Sequence, residues 1–122
     1  MGLLDIFKKN QDNQTTQVVA DYSTIDSNEK AHNLFAKKEL VKLFLIPLEF
    51  GGQDTAMNIL FVPASANNKK INFDAKIEKM LQEGVKLGYS ANPEYKDSSF
   101  IPSQIVINVN GDKTITDTID IW

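Results

Sequence analysis

The sequence has no cysteine and no arginine, and its 122 residues include one histidine and one tryptophan. The first absence excludes disulfide staples, a thiolate zinc site, a redox motif and a cysteine nucleophile. The second leaves lysine as the only strongly basic side chain, so phosphate cannot be gripped in a bidentate guanidinium fork. With a net charge of −3, this argues against avid nucleic-acid binding. No apolar run approaches the roughly 20 residues that span a bilayer, so no transmembrane segment is expected. The length fits one domain that buries roughly 65% of its unfolded surface without needing a structural metal.

The first residues, Met1 to Lys9, mix apolar and basic groups, but Asp5 interrupts them and no small-residue cleavage site follows. A secretory signal is therefore not expected. Ile6 stands where a myristoylation motif needs Ser or Thr. The expectation is a cytoplasmic protein whose residues 1–17 form an amphipathic turn, through Leu3, Leu4, Ile6 and Phe7, and a polar linker. A single α+β domain should then occupy residues 18–122.

Within that domain, Asp26-Ser27-Asn28-Glu29 has the pattern of a capping box with Asp26 as the cap. A helix should run from there to about Lys38, with Ala31, Leu34 and Phe35 as its buried stripe. Leu40 to Ile46 is rich in strand formers and is closed by Pro47. Gly51-Gly52 signals a turn, and Met57 to Val62 is a second strand closed by Pro63. The polar stretch Ser65 to Lys70 separates it from a second helical pattern, Ile71, Phe73, Ile77, Met80 and Leu81. Asp74 would support the start of that helix, and Gly84 or Gly88 would stop it. The alternation Ile105, Ile107, Val109 and Ile115, Ile119, Ile121 around Asn110-Gly111 predicts a terminal β-hairpin. Keeping both isoleucine rows on one face requires either an odd-numbered loop or a bulge in the ladder, and a three-residue loop at Asn110-Gly111-Asp112 is expected. The fold class is α+β: two helices and an antiparallel sheet of about four to six strands, ending in the hairpin.

Chemistry-bearing patterns are sparse. His32 is the sole candidate for a general base or metal ligand, but no second histidine stands one helical turn away. Glu49 and Asp54 flank the Gly-Gly turn, Glu78 and Glu83 lie on the second helix, and Asp112, Asp117 and Asp120 decorate the hairpin. Their spacing brings no specific pair together for acid–base work. No Gly-x-Ser-x-Gly elbow or phosphate-cradling glycine loop occurs. The lysine pairs Lys8-Lys9, Lys37-Lys38 and Lys69-Lys70 have the look of solvated faces. Tyr89, Tyr95, Phe100 and Trp122 would line a groove in a small-molecule or peptide binding module.

One ordered set of motifs carries more. Phe44-Leu45-Ile46-Pro47-Leu48-Glu49-Phe50-Gly51-Gly52 is followed by Asn58-Ile59, Val62-Pro63, Gly84, Pro93-Glu94-Tyr95, Ser99-Phe100-Ile101-Pro102 and Asn110-Gly111. This order, from roughly Leu40 to Trp122, resembles the DNA/RNA non-specific endonuclease domains of bacterial polymorphic toxins, members of the ββα-metal group. The resemblance implies an active site whose first-motif histidine activates water and whose second asparagine ligates a metal. Here Phe44 stands at the histidine position, and a phenyl ring cannot accept a proton. Val41, Lys42 and Leu43 replace the usual acidic and glycine residues, and only Asn67 or Asn68, with shifted spacing, could match the metal ligand.

The reading is a non-catalytic interaction protein on a degenerate nuclease-like fold, a toxin-system accessory or immunity-like protein. No catalytic residue, metal site or cofactor motif is assigned. A protein partner would be met at the turn, through Glu49, Gly51, Gly52 and Asp54. The alternative from another class is a metal-dependent nuclease with a relocated base.

Overall fold

Two small antiparallel sheets are joined by one long helix, and each element follows from where the apolar side chains can be hidden. The computed structural model describes residues 20–122. The expected amphipathic turn and linker at 1–17 lie outside the described residues, as does Val18.

Helix α1, Asn28–Ala36, is capped by Ser27, whose Oγ accepts from the Lys30 amide at 3.2 Å. Ser27 takes the place expected of Asp26, because the Asp26 carboxylate instead accepts from Lys30 Nζ at 2.7 Å, one turn along. The helix ends two residues short of Lys38 because Lys38 enters the left-handed region at φ 65°. There Glu39 and Leu40 turn back to donate to the Leu34 carbonyl. The expected stripe is present: Ala31 is buried, Leu34 is half-buried, and Phe35 stacks on Phe61 at 4.8 Å.

Strands β1, Val41–Phe44, and β2, Ile59–Val62, pair antiparallel, Val41 opposite Val62 and Phe44 opposite Ile59. Both are shorter than the apolar runs that predicted them. The chain between them is folded into two short 3₁₀ turns, Leu48–Phe50 and Ala56–Asn58. Asn58 ties this connection together. Its Oδ1 accepts from Ile46 N at 2.8 Å, and its Nδ2 donates to the carbonyls of Ile46 and Gln53 at 2.9 and 3.0 Å. Gly51 sits at φ 95°, where an L side chain is strained. A Cβ at Gly52 would lie 1.9 Å from the Ile46 carbonyl oxygen, so the second glycine is required by close approach.

Helix α2, Ala64–Gln82, starts directly after Pro63, earlier than the expected start near Ile71. Its polar first half is helical because the residues facing inward, Ala66, Lys70, Asp74 and Ile77, recur at helical spacing, two of them being charged. Asp74 therefore sits in mid-helix instead of supporting its start. Lys70, expected on a solvated face, is 2% exposed. The helix stops as expected at Gly84, φ 91°, with Val85 N donating to the Met80 carbonyl at 3.0 Å.

Strands β3, Leu87–Glu94, β4, Gln104–Gly111, and β5, Ile115–Asp120, form the second sheet in the order β3-β4-β5. Pro93 is tolerated because β3 is an edge strand. On central β4, Ile105, Ile107 and Val109 are wholly buried. In the hairpin, Ile105 faces Ile119 and Val109 faces Ile115, the odd-to-odd register expected. Ile107 faces Asp117, the polar exception in its row. The residues between the last paired positions are 110–114 instead of 110–112, since β4 continues to Gly111 in order to pair with Leu87 of β3. Among the described residues the strand count thus falls within the expected range, divided over two sheets.

Helix α2 packs against both β1 and β5, and the main core of Leu43, Val62, Ala66, Ile77, Ile105, Ile107, Val109 and Ile119 lies between them. A second cluster gathers Ala31, Leu40 and Ile101 with Tyr22, Phe61 and Trp122. Trp122 packs back onto the fold: its Nε1 donates to the Ile101 carbonyl at 3.0 Å and its ring meets Tyr22 edge-on.

Removing the Asn58 clip leaves partly buried backbone groups without partners. Asn58→Ala is expected to lower unfolding stability by about 2–3 kcal/mol, read as a drop in the urea midpoint. An unchanged midpoint would refute the structural role given to this side chain.

Candidate functional site

A cleft of about 420 Å³ opens between α2 and the chain leaving β1. Its apolar walls are Phe44, Pro47, Leu48, Ile71 and Ala75, and its polar lining is Lys42, Glu49, Asn67, Lys70, Asp74 and Glu78. The geometry follows from two local facts. Pro47 and the 3₁₀ turn bring Leu48 and Glu49 over the helix, and the helical spacing of Asn67, Lys70, Ile71, Asp74, Ala75 and Glu78 lines up one face beneath them.

The floor of the cleft is a buried ionic network. Lys70 Nζ donates to Asp74 Oδ2 at 2.7 Å, and Tyr89 on β3 donates its hydroxyl to Asp74 Oδ1 at 2.5 Å. The ammonium also lies 5.3 Å from the Tyr89 ring centroid, and Phe50 meets that ring edge-on at 5.4 Å. Burial pushes the Lys70 ammonium pKa down, while Asp74 and, through space, Glu49 oppose the shift. Burial also raises the Tyr89 hydroxyl well above its usual range, reinforced by the hydrogen bond to Asp74 and by its negative charge. An ammonium can donate three hydrogen bonds, and among the described residues Lys70 Nζ has one acceptor, Asp74. Chemically, the floor is a paired ammonium with spare hydrogen-bond donors beneath apolar walls.

The residues singled out in the sequence are distributed as follows. Phe44 is half-buried and lines this cleft, so this part of its wall is hydrocarbon. Asn67 shares the cleft, Asn68 is exposed and does not line it, and Asn58 has its amide engaged in the clip. Of the turn residues, Glu49 lines the cleft, Gly51 and Gly52 shape the turn, and Asp54 stands outside it, 3.9 Å from Lys42 Nζ. His32 is exposed, in edge contact with Phe61 at 4.9 Å, and lines a different cleft with Met57, Tyr95 and Phe100. Among the described residues, no carboxylate lines that second cleft. The four aromatics expected in one groove are separated: Tyr95 and Phe100 border His32, Tyr89 contacts Asp74, and Trp122 lies with Tyr22.

Lys70 and Asp74 are the site residues that sequence reasoning missed, together with the contact that joins Tyr89 to them. The available signal was the Lys-to-Asp spacing of four residues, which places opposite charges on one helix face once the helix begins ahead of Lys70, as it does at Ala64. Among the described residues no group of three or more His, Asp and Glu side chains converges to hold a metal ion, and no helix is long and apolar enough to cross a membrane. No protein-family model matches the chain, and a search of curated proteins gives no match.

Breaking the pair from one side leaves a buried charge. Lys70→Met should cost about 3–5 kcal/mol at neutral pH in chemical denaturation. Lys70→Met/Asp74→Asn removes both charges, keeps an acceptor for Tyr89, and should regain about half of that loss or more. Equal stability of the single and double variants would contradict the pairing.

Tyr89 predicts alkaline behaviour of a definite sign. Its folded pKa lies above the unfolded value of about 10, so its contribution is fully present below that pH and is lost as pH rises towards the folded value. Lys70, lowered on folding, works in the opposite direction as pH falls from its own unfolded value. Between about pH 9 and 11, stability should therefore fall more steeply in the wild type than in Tyr89→Phe, where Lys70 is retained. Parallel profiles would show that the Tyr89 hydroxyl does not titrate as described.

Proposed function

We propose that this chain is a non-catalytic interaction protein, built on a nuclease-like fold that has lost its active site, and that it meets a protein partner at the cleft beside the Leu48–Phe50 turn. The observation that carries this reading is Phe44. The wall where a hydrolytic enzyme of the resembling type would hold its proton acceptor is an aromatic hydrocarbon, and His32 lies in another cleft. Leu48 and Ile71, on the cleft walls, remain 47% and 54% exposed, apolar surface of the kind that a partner covers. A cytoplasmic role as accessory or immunity-like protein of a bacterial toxin system fits the setting of the resembling domains.

Two measurements test the reading. The purified protein incubated with plasmid or RNA and Mg²⁺ or Mn²⁺ should leave both intact; cleavage abolished by His32→Ala would establish the nuclease alternative. Affinity capture with the proteins encoded beside it should recover a partner that Leu48→Ser/Ile71→Ser fails to hold. Recovery undiminished in that double variant would move the interface away from the cleft.

A further inference from the structure

The charges around the cleft do not cancel evenly. Lys42 is met by Asp54 from outside the cleft, and Lys70 by Asp74 on its floor. Glu49 and Glu78 are left as lining carboxylates that form no ion pair among the described residues. An anionic ligand would face this excess of negative charge, and the apolar walls favour neither a free ion nor a sugar. The floor, in contrast, offers hydrogen-bond donation from Lys70, which is nine-tenths buried or more and has donor capacity beyond its one acceptor.

We propose that the cleft takes a basic peptide segment with an apolar anchor. An aliphatic or aromatic side chain seats against Phe44, Leu48 and Ile71, a backbone carbonyl of the same segment accepts from Lys70, and a neighbouring Lys or Arg is held by Glu49 and Glu78. The inference rests on the interaction reading and names the chemistry of the partner. A neutral carbonyl suits the floor, because a second full negative charge would add to the desolvation already borne by Asp74. A cationic neighbour suits the rim, where an exposed pair steers encounter and fixes register. Leu48 and Ile71 stand proud on facing sides of the cleft, so the occupant must extend past the cavity to cover both, as a chain segment does and a compact metabolite does not.

Short random peptides displayed on phage and panned against the full-length protein provide the probe, followed by fluorescence polarisation with the enriched peptides. Enriched sequences should place an aliphatic or aromatic residue close to Lys or Arg. Their affinity should fall about tenfold in Glu49→Gln/Glu78→Gln, with the circular dichroism spectrum unchanged, and fall further in Leu48→Ser/Ile71→Ser. In the wild type, affinity should also weaken as salt is raised. Enrichment of acidic peptides, or binding that drops in the serine variant and not in the glutamine variant, would overturn the basic-segment inference while leaving a cleft interface in place. Enrichment of no peptide sensitive to either pair of substitutions would also overturn it, and the capture experiment with neighbouring proteins would then decide the broader reading separately.

Discussion

The buried contact between Lys70 and Asp74 is the constraint on which the arrangement of α2 depends. Two full charges are taken out of water on the inward face of a helix that otherwise presents Ala66 and Ile77 to the core. Such a pair survives only if the geometry keeps it satisfied, and here the third group, Tyr89, comes from the other sheet. The helix is therefore held in rotation and in height relative to β3. An apolar stripe at the same positions would bury as well but would fix the helix less specifically, because hydrocarbon contacts are non-directional.

The same network gives the cleft its character. With α2 set, the residues one helical step away from the buried row, Asn67, Ile71, Ala75 and Glu78, must face the turn that follows β1. That turn is shaped by backbone needs: Gly52 lies against the Ile46 carbonyl and Asn58 spans the loop. Neither residue touches a ligand in this scheme, yet both decide where Leu48 and Glu49 stand. The cleft is thus a by-product of two tightly specified structural features facing each other across a gap.

Much of this architecture was legible from residue pattern. The stripe of α1, the two short strands before Pro47 and Pro63, the Gly51-Gly52 turn, the stop at Gly84 and the odd-to-odd hairpin register all follow from local chemistry. The first half of α2 did not, for a definite reason. Hydrophobic periodicity detects a helix by its apolar side, and here the buried side carries Lys70 and Asp74, which have the look of solvent-facing residues until their partners are known. Strand β3 was concealed similarly: Gly88, Ser90, Asn92 and Pro93 are weak strand formers, and their placement comes from pairing with strongly apolar β4. The candidate site inherited both gaps. Glu49 and Phe44 were identified from sequence, whereas the floor beneath them depends on a contact between residues 74 and 89 that no local pattern encodes.

Trp122 is the chain's single indole, and its location makes it a selective optical reporter. It is seated against Tyr22 and the Ile101 carbonyl, with the Lys96 ammonium 4.4 Å from its ring, and it does not line the cleft over Lys70. Its emission consequently follows the docking of the chain's final residues onto the second apolar cluster, with no direct contact to an occupant of the cleft over Lys70.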